Sequence, residues 1–310
     1  MFSVIFPGQG SQSVGMTKEL HDNFNYIKDL FKQADDALGY SISKIMLEGP
    51  KEDLDLTENT QPAIFLASYS TFEMIKKESN INLIEAKYFA GHSLGEYSAL
   101  ATSGSLDFKS AIKLLNERGK AMQTAVPRGV GGMVAVLGAE INEINNLLEE
   151  NQNNFKCYLA NDNSNGQIVL SGLNPDIDKF IEILKTKKIK NIKLPVSAPF
   201  HCKLMDKATS IMRYKINNTN FEKPKNVIIS NVTGEETQEI DKIKDLLIKQ
   251  IESPVRWRES VIYMIKNGVT NFIEIGPGKV LSGLVKRIDK TVNVNNINKL
   301  EDLNNMKLND

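Results

Sequence analysis

Only two cysteines, Cys157 and Cys202, occur in the 310 residues, far apart in the chain. They form neither a closely spaced metal-ligand pair nor the disulfide framework that small secreted domains need, so a reducing compartment is expected and no metal site is. Neither sign of charge is in excess, with Lys+Arg and Asp+Glu at 38 each. No basic surplus therefore points to nucleic acid or to an anionic membrane surface, and any acidic ligand must be held by local charges. No apolar stretch approaches the ~20 residues of a membrane span. Residues 1–30 open on a short apolar segment and turn polar, without the charged-then-apolar pattern of a signal peptide. A cytoplasmic protein is expected. Internal repeats are lacking too, and the three histidines leave few candidates for a general base.

What is present is ordinary globular material, 41% hydrophobic and 25% charged, enough for one large domain or a large and a small one. "FSVIFPGQGSQ" reads as a buried strand breaking at Pro7-Gly8 into a tight loop. Helical patterns follow in "FNYIKDLFKQADDAL" and "QPAIFLASYSTFEMIKK", then a strand in "AKYFAGHS", a short helix in "LGEYSALATSG" and a long amphipathic helix in "DFKSAIKLLNERGKAMQTAV". This alternation predicts an α/β domain with a mostly parallel sheet covered on both faces. Between about residues 126 and 196 the order becomes strand, helix, two strands around an Asn/Ser/Gly turn, helix and the strand "NIKLPVS", a split β-α-β unit of ferredoxin-like type. The expected organisation is a large domain of residues 1–125 and 197–310 with an inserted ferredoxin-like subdomain of 126–196. The tail from Asn293 carries a weak strand, "VNVNNI", and a weak helix.

A strand running into Gly91-His92-Ser93-Leu94-Gly95 and then a helix is the context of a nucleophile elbow, whose glycines leave room for the turn that lifts a serine hydroxyl above the sheet edge. Helix-start amides beside it can receive negative charge. A tight turn with a helix-capping serine is the alternative. A serine needs a base to take its proton. His21, in "ELHDNF", reads as a solvated helix position, and His92 shares the turn with Ser93 but points in another direction. His201, in "LPVSAPFHCKLM", is the remaining candidate, a loop histidine being otherwise structural. On the helix of about 108–125, Ala111, Leu115, Met122 and Ala125 recur at helical spacing, and Arg118 falls on that apolar stripe, with Glu117 facing elsewhere. Such a guanidinium needs an anionic partner: it either snorkels, pairs with a distant core acid, or binds a substrate carboxylate.

"FPGQGSQ" (6–12), "GHSLGEYSAL" (91–100), "RGKAMQ" (118–123), "NGQIVLSG" (165–172), "PVSAPFHCKLM" (195–205) and "EIGPGKVLSGL" (274–284) resemble, in this order, the malonyl-CoA:acyl-carrier-protein transacylase family of type II fatty-acid synthesis. The resemblance covers nearly the whole chain. It implies an α/β-hydrolase-like large domain, Ser93 as nucleophile and His201 as base. Gln9 and the backbone amide of Leu94 would form the oxyanion hole, Arg118 would hold the malonyl carboxylate, and the Gln250 carbonyl would orient the histidine. Met122, Asn161, Phe200 and His92 are expected around the acyl pocket, Phe200 being bulkier than the small residue usual before the base. The implied reaction needs no metal or redox cofactor. Its substrates are malonyl-CoA and the holo acyl carrier protein, and the enzyme is expected to be a monomer, cytoplasmic, or plastidial if a transit peptide has been removed.

Three alternatives stay open: a serine thioesterase or hydrolase, a non-enzymatic scaffold, and a free-standing acyltransferase of a polyketide synthase. Against the first, no clear acid motif lies between Ser93 and His201. "GPGKV" at 276–280 lacks the upstream glycine and the Ser/Thr of a phosphate loop, and Cys202 reads as a packed small residue.

Overall fold

The run FSVIF forms strand β1 (Phe2–Phe6), whose side chains alternate between two cores: Val4 and Phe6 join one, Ile5 the other. This period of two, with both faces apolar, is what a central parallel strand requires. The computed structural model describes residues 1–196 and 198–304. Ser197, where the sequence reading lets the large domain resume, and residues 305–310 lie outside the described residues.

Strand β2 (Tyr88–Gly91) pairs with β1 in parallel and shows the same alternation, Phe89 on one side and Tyr88 and Ala90 on the other. The strands that follow are β3 (Gly131–Leu137), β4 (Cys157–Ser164), β5 (Gln167–Leu173), β6 (Lys190–Lys193), β7 (Val227–Ile229), β8 (Glu236–Thr237), β9 (Asn271–Ile275) and β10 (Asn293–Ile297). The larger sheet has the order β10-β9-β1-β2-β7-β8, parallel except for β8 on its edge. Helices Thr57–Glu78, Gly95–Thr102 and Phe108–Thr124 contribute to the core on one side, and Trp257, Leu281 and Leu284 to the core on the other. The weak strand of the tail is β10, which pairs with β9 over five residues.

The second sheet has the order β4-β5-β3-β6, antiparallel throughout, which is the ferredoxin-like arrangement. Helices Ile141–Asn151 and Asn174–Thr186 cover one of its faces around Ile144, Ile177 and Phe180. The opposite face, through Met133, Ala135 and Val169, joins the core of the large sheet. The strand expected in "NIKLPVS" is shorter: β6 stops at Lys193, and one further bond, Leu194 N–H to the Met133 carbonyl at 2.9 Å, precedes Pro195, which has no N–H to continue.

A bulge in β4 ties the second sheet to the segment just before helix Trp257–Lys266. Around it, Val255 N–H donates to the Ala160 carbonyl and Asp162 N–H to the Val255 carbonyl, both at 2.9 Å. Arg258 then grips the Asp162 carboxylate with Nε (2.9 Å) and Nη2 (2.7 Å), a two-pronged pair at the seam.

Candidate active site

Two glycines make the turn after β2 possible. A Cβ on Gly91 would lie 2.0 Å from the Gly95 carbonyl, and one on Gly95 2.3 Å from the Phe6 carbonyl, so neither position admits a side chain. Between them Ser93 takes φ 53°, the left-handed region that non-glycine residues rarely occupy. Its amide donates to Asn231 Oδ1 (2.7 Å), and Asn231 Nδ2 donates back to the Gly91 carbonyl (2.8 Å). A buried asparagine just past β7 thus clamps both sides of the elbow.

The Ser93 hydroxyl faces His201, with Oγ 2.8 Å from Nε2. On the far side of the ring, Nδ1 lies 2.8 Å from the Gln250 carbonyl oxygen. A carbonyl only accepts, so Nδ1 carries the proton and Nε2 is free to accept the one from Ser93. His201 is 4% exposed, and burial first, with the nearby Arg118 charge second, pushes its pKa down to about 3. The ring is neutral through the whole physiological range.

Arg118 is 1% exposed, which excludes snorkelling to solvent. Nη1 donates to Gln61 Oε1 (2.8 Å), while Nη2 donates to Gln250 Oε1 (2.9 Å) and to Ser93 Oγ (3.0 Å). These partners are amide and hydroxyl oxygens, and among the described residues Nε has none. The guanidinium also sits over the Tyr97 ring, 5.7 Å from its centroid.

One cavity gathers nearly all the residues expected from the sequence. Gln9, His92, Ser93, Leu94, Arg118, Met122, Asn161, Phe200 and His201 line it, and Gln250 lies behind it, fully buried. Among the described residues the Leu94 amide has no acceptor, whereas the next three amides are committed to the His92, Ser93 and Leu94 carbonyls. His92 turns away from the serine toward Asn163 Oδ1 (2.8 Å) and packs near Trp257. Phe200 is buried in the wall, its carbonyl accepting from the Ser171 hydroxyl. His21 stands apart from the cavity, yet it is not simply solvated: its ring packs on Phe31 at 5.0 Å and meets Asp22. Cys202 is 2% exposed, its thiol donating to the Pro199 carbonyl, and burial pushes its pKa up to about 12. At neutral pH that side chain is a thiol, not a nucleophile.

Sequence reasoning did not find Gln61, Glu96 or Asn231. Gln61 lies in the polar N-terminal stretch of helix Thr57–Glu78, two residues after Asn59 and just before its apolar middle, Glu96 is a lone acid in "GEYSALAT", and Asn231 follows the carboxyl end of a strand. The last two are polar residues where burial is expected, a signal that is legible but not specific. Among the described residues no cluster of three or more His, Cys, Asp or Glu is placed to hold a metal ion, and no helix is long and apolar enough to cross a membrane.

The fold is that of an acyltransferase with a serine elbow. The chain belongs to the acyl transferase domain family, whose model matches residues 3–309. The malonyl CoA-acyl carrier protein transacylase of Haemophilus influenzae is 40% identical over 288 residues, covering 93% of this chain and 92% of the relative. A solved malonyl CoA-acyl carrier protein transacylase of Clostridium perfringens is 40% identical with a TM-score of 0.93, covering 98% of this chain and 95% of its own. A malonyl-transacylase solved in complex with a type II polyketide-synthase acyl-carrier protein is 36% identical with a TM-score of 0.93, covering 97% of each chain.

Proposed function

We propose that the chain transfers a malonyl group from malonyl-CoA to the phosphopantetheine thiol of acyl carrier protein, supplying fatty-acid synthesis. The observation that carries this reading is the position of Ser93 Oγ, 2.8 Å from a neutral histidine and 3.0 Å from a buried guanidinium. A base and an anion-binding group on one nucleophile suit an acyl chain that ends in a carboxylate.

Ser93 Oγ attacks the thioester carbonyl as its proton passes to His201 Nε2, and the imidazolium that forms is held by Nδ1–H on the Gln250 carbonyl. Gln9 and the free Leu94 amide receive the oxyanion of the tetrahedral intermediate. Its collapse breaks the C–S bond, His201 returns the proton to the CoA sulfur, and malonyl-Ser93 remains. The carrier thiol then attacks that ester by the reverse path, which makes the kinetics ping-pong. Arg118 holds the malonyl carboxylate throughout. Met122, Asn161, Phe200 and His92 shape the acyl pocket, and neither metal nor redox cofactor takes part.

In this reading residues 1–125 and 197–310 form the catalytic domain, and 126–196 the inserted subdomain whose sheet walls the cavity. The enzyme works as a cytoplasmic monomer. Incubation with malonyl-CoA and holo acyl carrier protein should give malonyl carrier, detected by intact mass, and the apo carrier should give none. Release of malonate without carrier would instead mark a hydrolase. A panel of fatty-acid and polyketide carriers decides between the two pathways, a question the polyketide carrier complex of a relative makes concrete.

A further inference from the structure

Under the elbow lies a carboxylate that the proposed chemistry does not use. Glu96, in the first turn of helix Gly95–Thr102, is 2% exposed. Its Oε2 accepts from the Asn231 amide (3.1 Å) and from Gln250 Nε2 (2.8 Å). The same Gln250 side chain accepts at Oε1 from Arg118 Nη2 (2.9 Å). One primary amide thus stands between a buried cation and a buried anion, accepting from the first and donating to the second, an arrangement in which each bond polarises the next. Arg118 is also the one charged group among the described residues that acts on Glu96. The other titratable groups packed around the pair are Tyr97, beside Glu96 and under the guanidinium, and His201, which is neutral.

We propose that Glu96 is a positioning residue for substrate choice: through the Gln250 amide it is the resident counter-charge of Arg118, and a substrate carboxylate must compete with it for that single buried positive charge. The proposal rests on Arg118 as the malonyl-binding residue. When malonyl-CoA brings a second carboxylate to the guanidinium, the two anions share one cation in a poorly solvated site. A proton moving from solvent onto Glu96 relieves the conflict, and the protonated acid can keep an accepting oxygen toward Gln250. Burial holds the Glu96 carboxyl up at about 7, so this exchange falls in an accessible range. Acetyl-CoA brings no carboxylate and should be indifferent to it.

Glu96→Gln separates charge from structure, because a glutamine oxygen can still accept from both Asn231 and Gln250. KM and kcat are measured for malonyl-CoA and acetyl-CoA from pH 6 to 8, and the malonyl KM is read as a ratio to the acetyl KM, which cancels the CoA phosphates. In the wild type the ratio should rise roughly tenfold with pH, as expected for one opposing charge acting across a partly polar interior. In Glu96→Gln it should stay at its low-pH value with kcat little changed. A ratio that keeps its wild-type pH dependence in Glu96→Gln, or equal shifts for both substrates, overturns the proposal. Arg118→Ala in parallel separates the two layers: if it keeps the malonyl preference, the underlying site reading has failed, and Glu96 with it. A second measurement needs no variant. An unbuffered pH indicator should record proton uptake when wild-type enzyme at pH 7 meets malonyl-CoA and none with acetyl-CoA, and equal uptake for the two would contradict the exchange.

Discussion

The Arg118 Nη2 and the Ser93 Oγ are 3.0 Å apart, so a buried cation donates to the same oxygen that lies 2.8 Å from His201 Nε2. In the proposed mechanism the carboxylate-binding group and the nucleophile are therefore positioned by each other, and substrate preference and reactivity share one set of bonds.

Arg118→Ala should lower kcat/KM for malonyl-CoA by about 3 to 5 kcal/mol, the range for breaking a buried pair, while acetyl-CoA transfer holds or rises. Arg118→Lys should rescue poorly, because an ammonium cannot span Gln61, Gln250 and the substrate in one planar fork. Steady-state kinetics with both acyl-CoAs, with folding followed by circular dichroism, provides the check. Equal losses for both substrates would make Arg118 a structural residue.

His201→Ala should reduce turnover by roughly 10²- to 10⁴-fold, the usual worth of a general base, and His21→Ala should leave it near wild type. The pH profile should differ from that of an ordinary histidine, whose limb would lie near 6.5. Because burial and Arg118 depress the pKa to about 3, the base is already neutral above that value, and activity is lost only as pH falls toward it. Acylation of the enzyme by an uncharged ester such as p-nitrophenyl acetate should be flat from pH 5.5 to 7.5. A rise centred on 6.5 would show that His201 is solvated.

Cys202 should be dispensable. Cys202→Ala should retain most activity, and iodoacetamide at pH 7.5 should not inactivate the enzyme, since the thiol is buried, donates to Pro199 and is protonated. Rapid inactivation that malonyl-CoA prevents would contradict this placement.

Gly91→Ala should abolish the elbow, since its Cβ would stand 2.0 Å from main-chain atoms that cannot retreat without moving the helix start. Gly283, within helix Val280–Ile288, is the control, since beyond its own helix backbone and chain neighbours an added Cβ would meet no atom of the described residues within 4 Å. There alanine should stabilise by about 0.5 to 1 kcal/mol. Thermal unfolding of the two variants should move in opposite directions.

Much of what the structure brings together in the candidate site was legible because its parts are local or rare. The elbow is a five-residue pattern with its strand and helix attached, His201 emerges when only three histidines exist, and Arg118 betrays itself as a charge on an apolar stripe. The ferredoxin-like insertion was legible from the order of its elements alone. The bonds that hold the site were not. Asn231 reaches Ser93, and Gln61 reaches Arg118, across long stretches of chain, and a buried amide in sequence looks like any other amide. Glu96 lies within "GHSLGEYSAL", but its proposed role depends on Gln250 lying between it and Arg118, which only the packing of three helices provides. β6 ends earlier than the alternation of Ile192, Leu194 and Val196 suggests, because Pro195 removes the donor that pairing needs.

The most direct test is to trap the acyl-enzyme. After brief mixing with malonyl-CoA and acid quench, peptide mass spectrometry should find the malonyl group on Ser93, and added holo acyl carrier protein should clear it before the quench. Ser93→Ala should fold normally and carry no label. A malonyl group on Cys202 or any other residue, or a Ser93 adduct that the carrier cannot clear, would contradict the account.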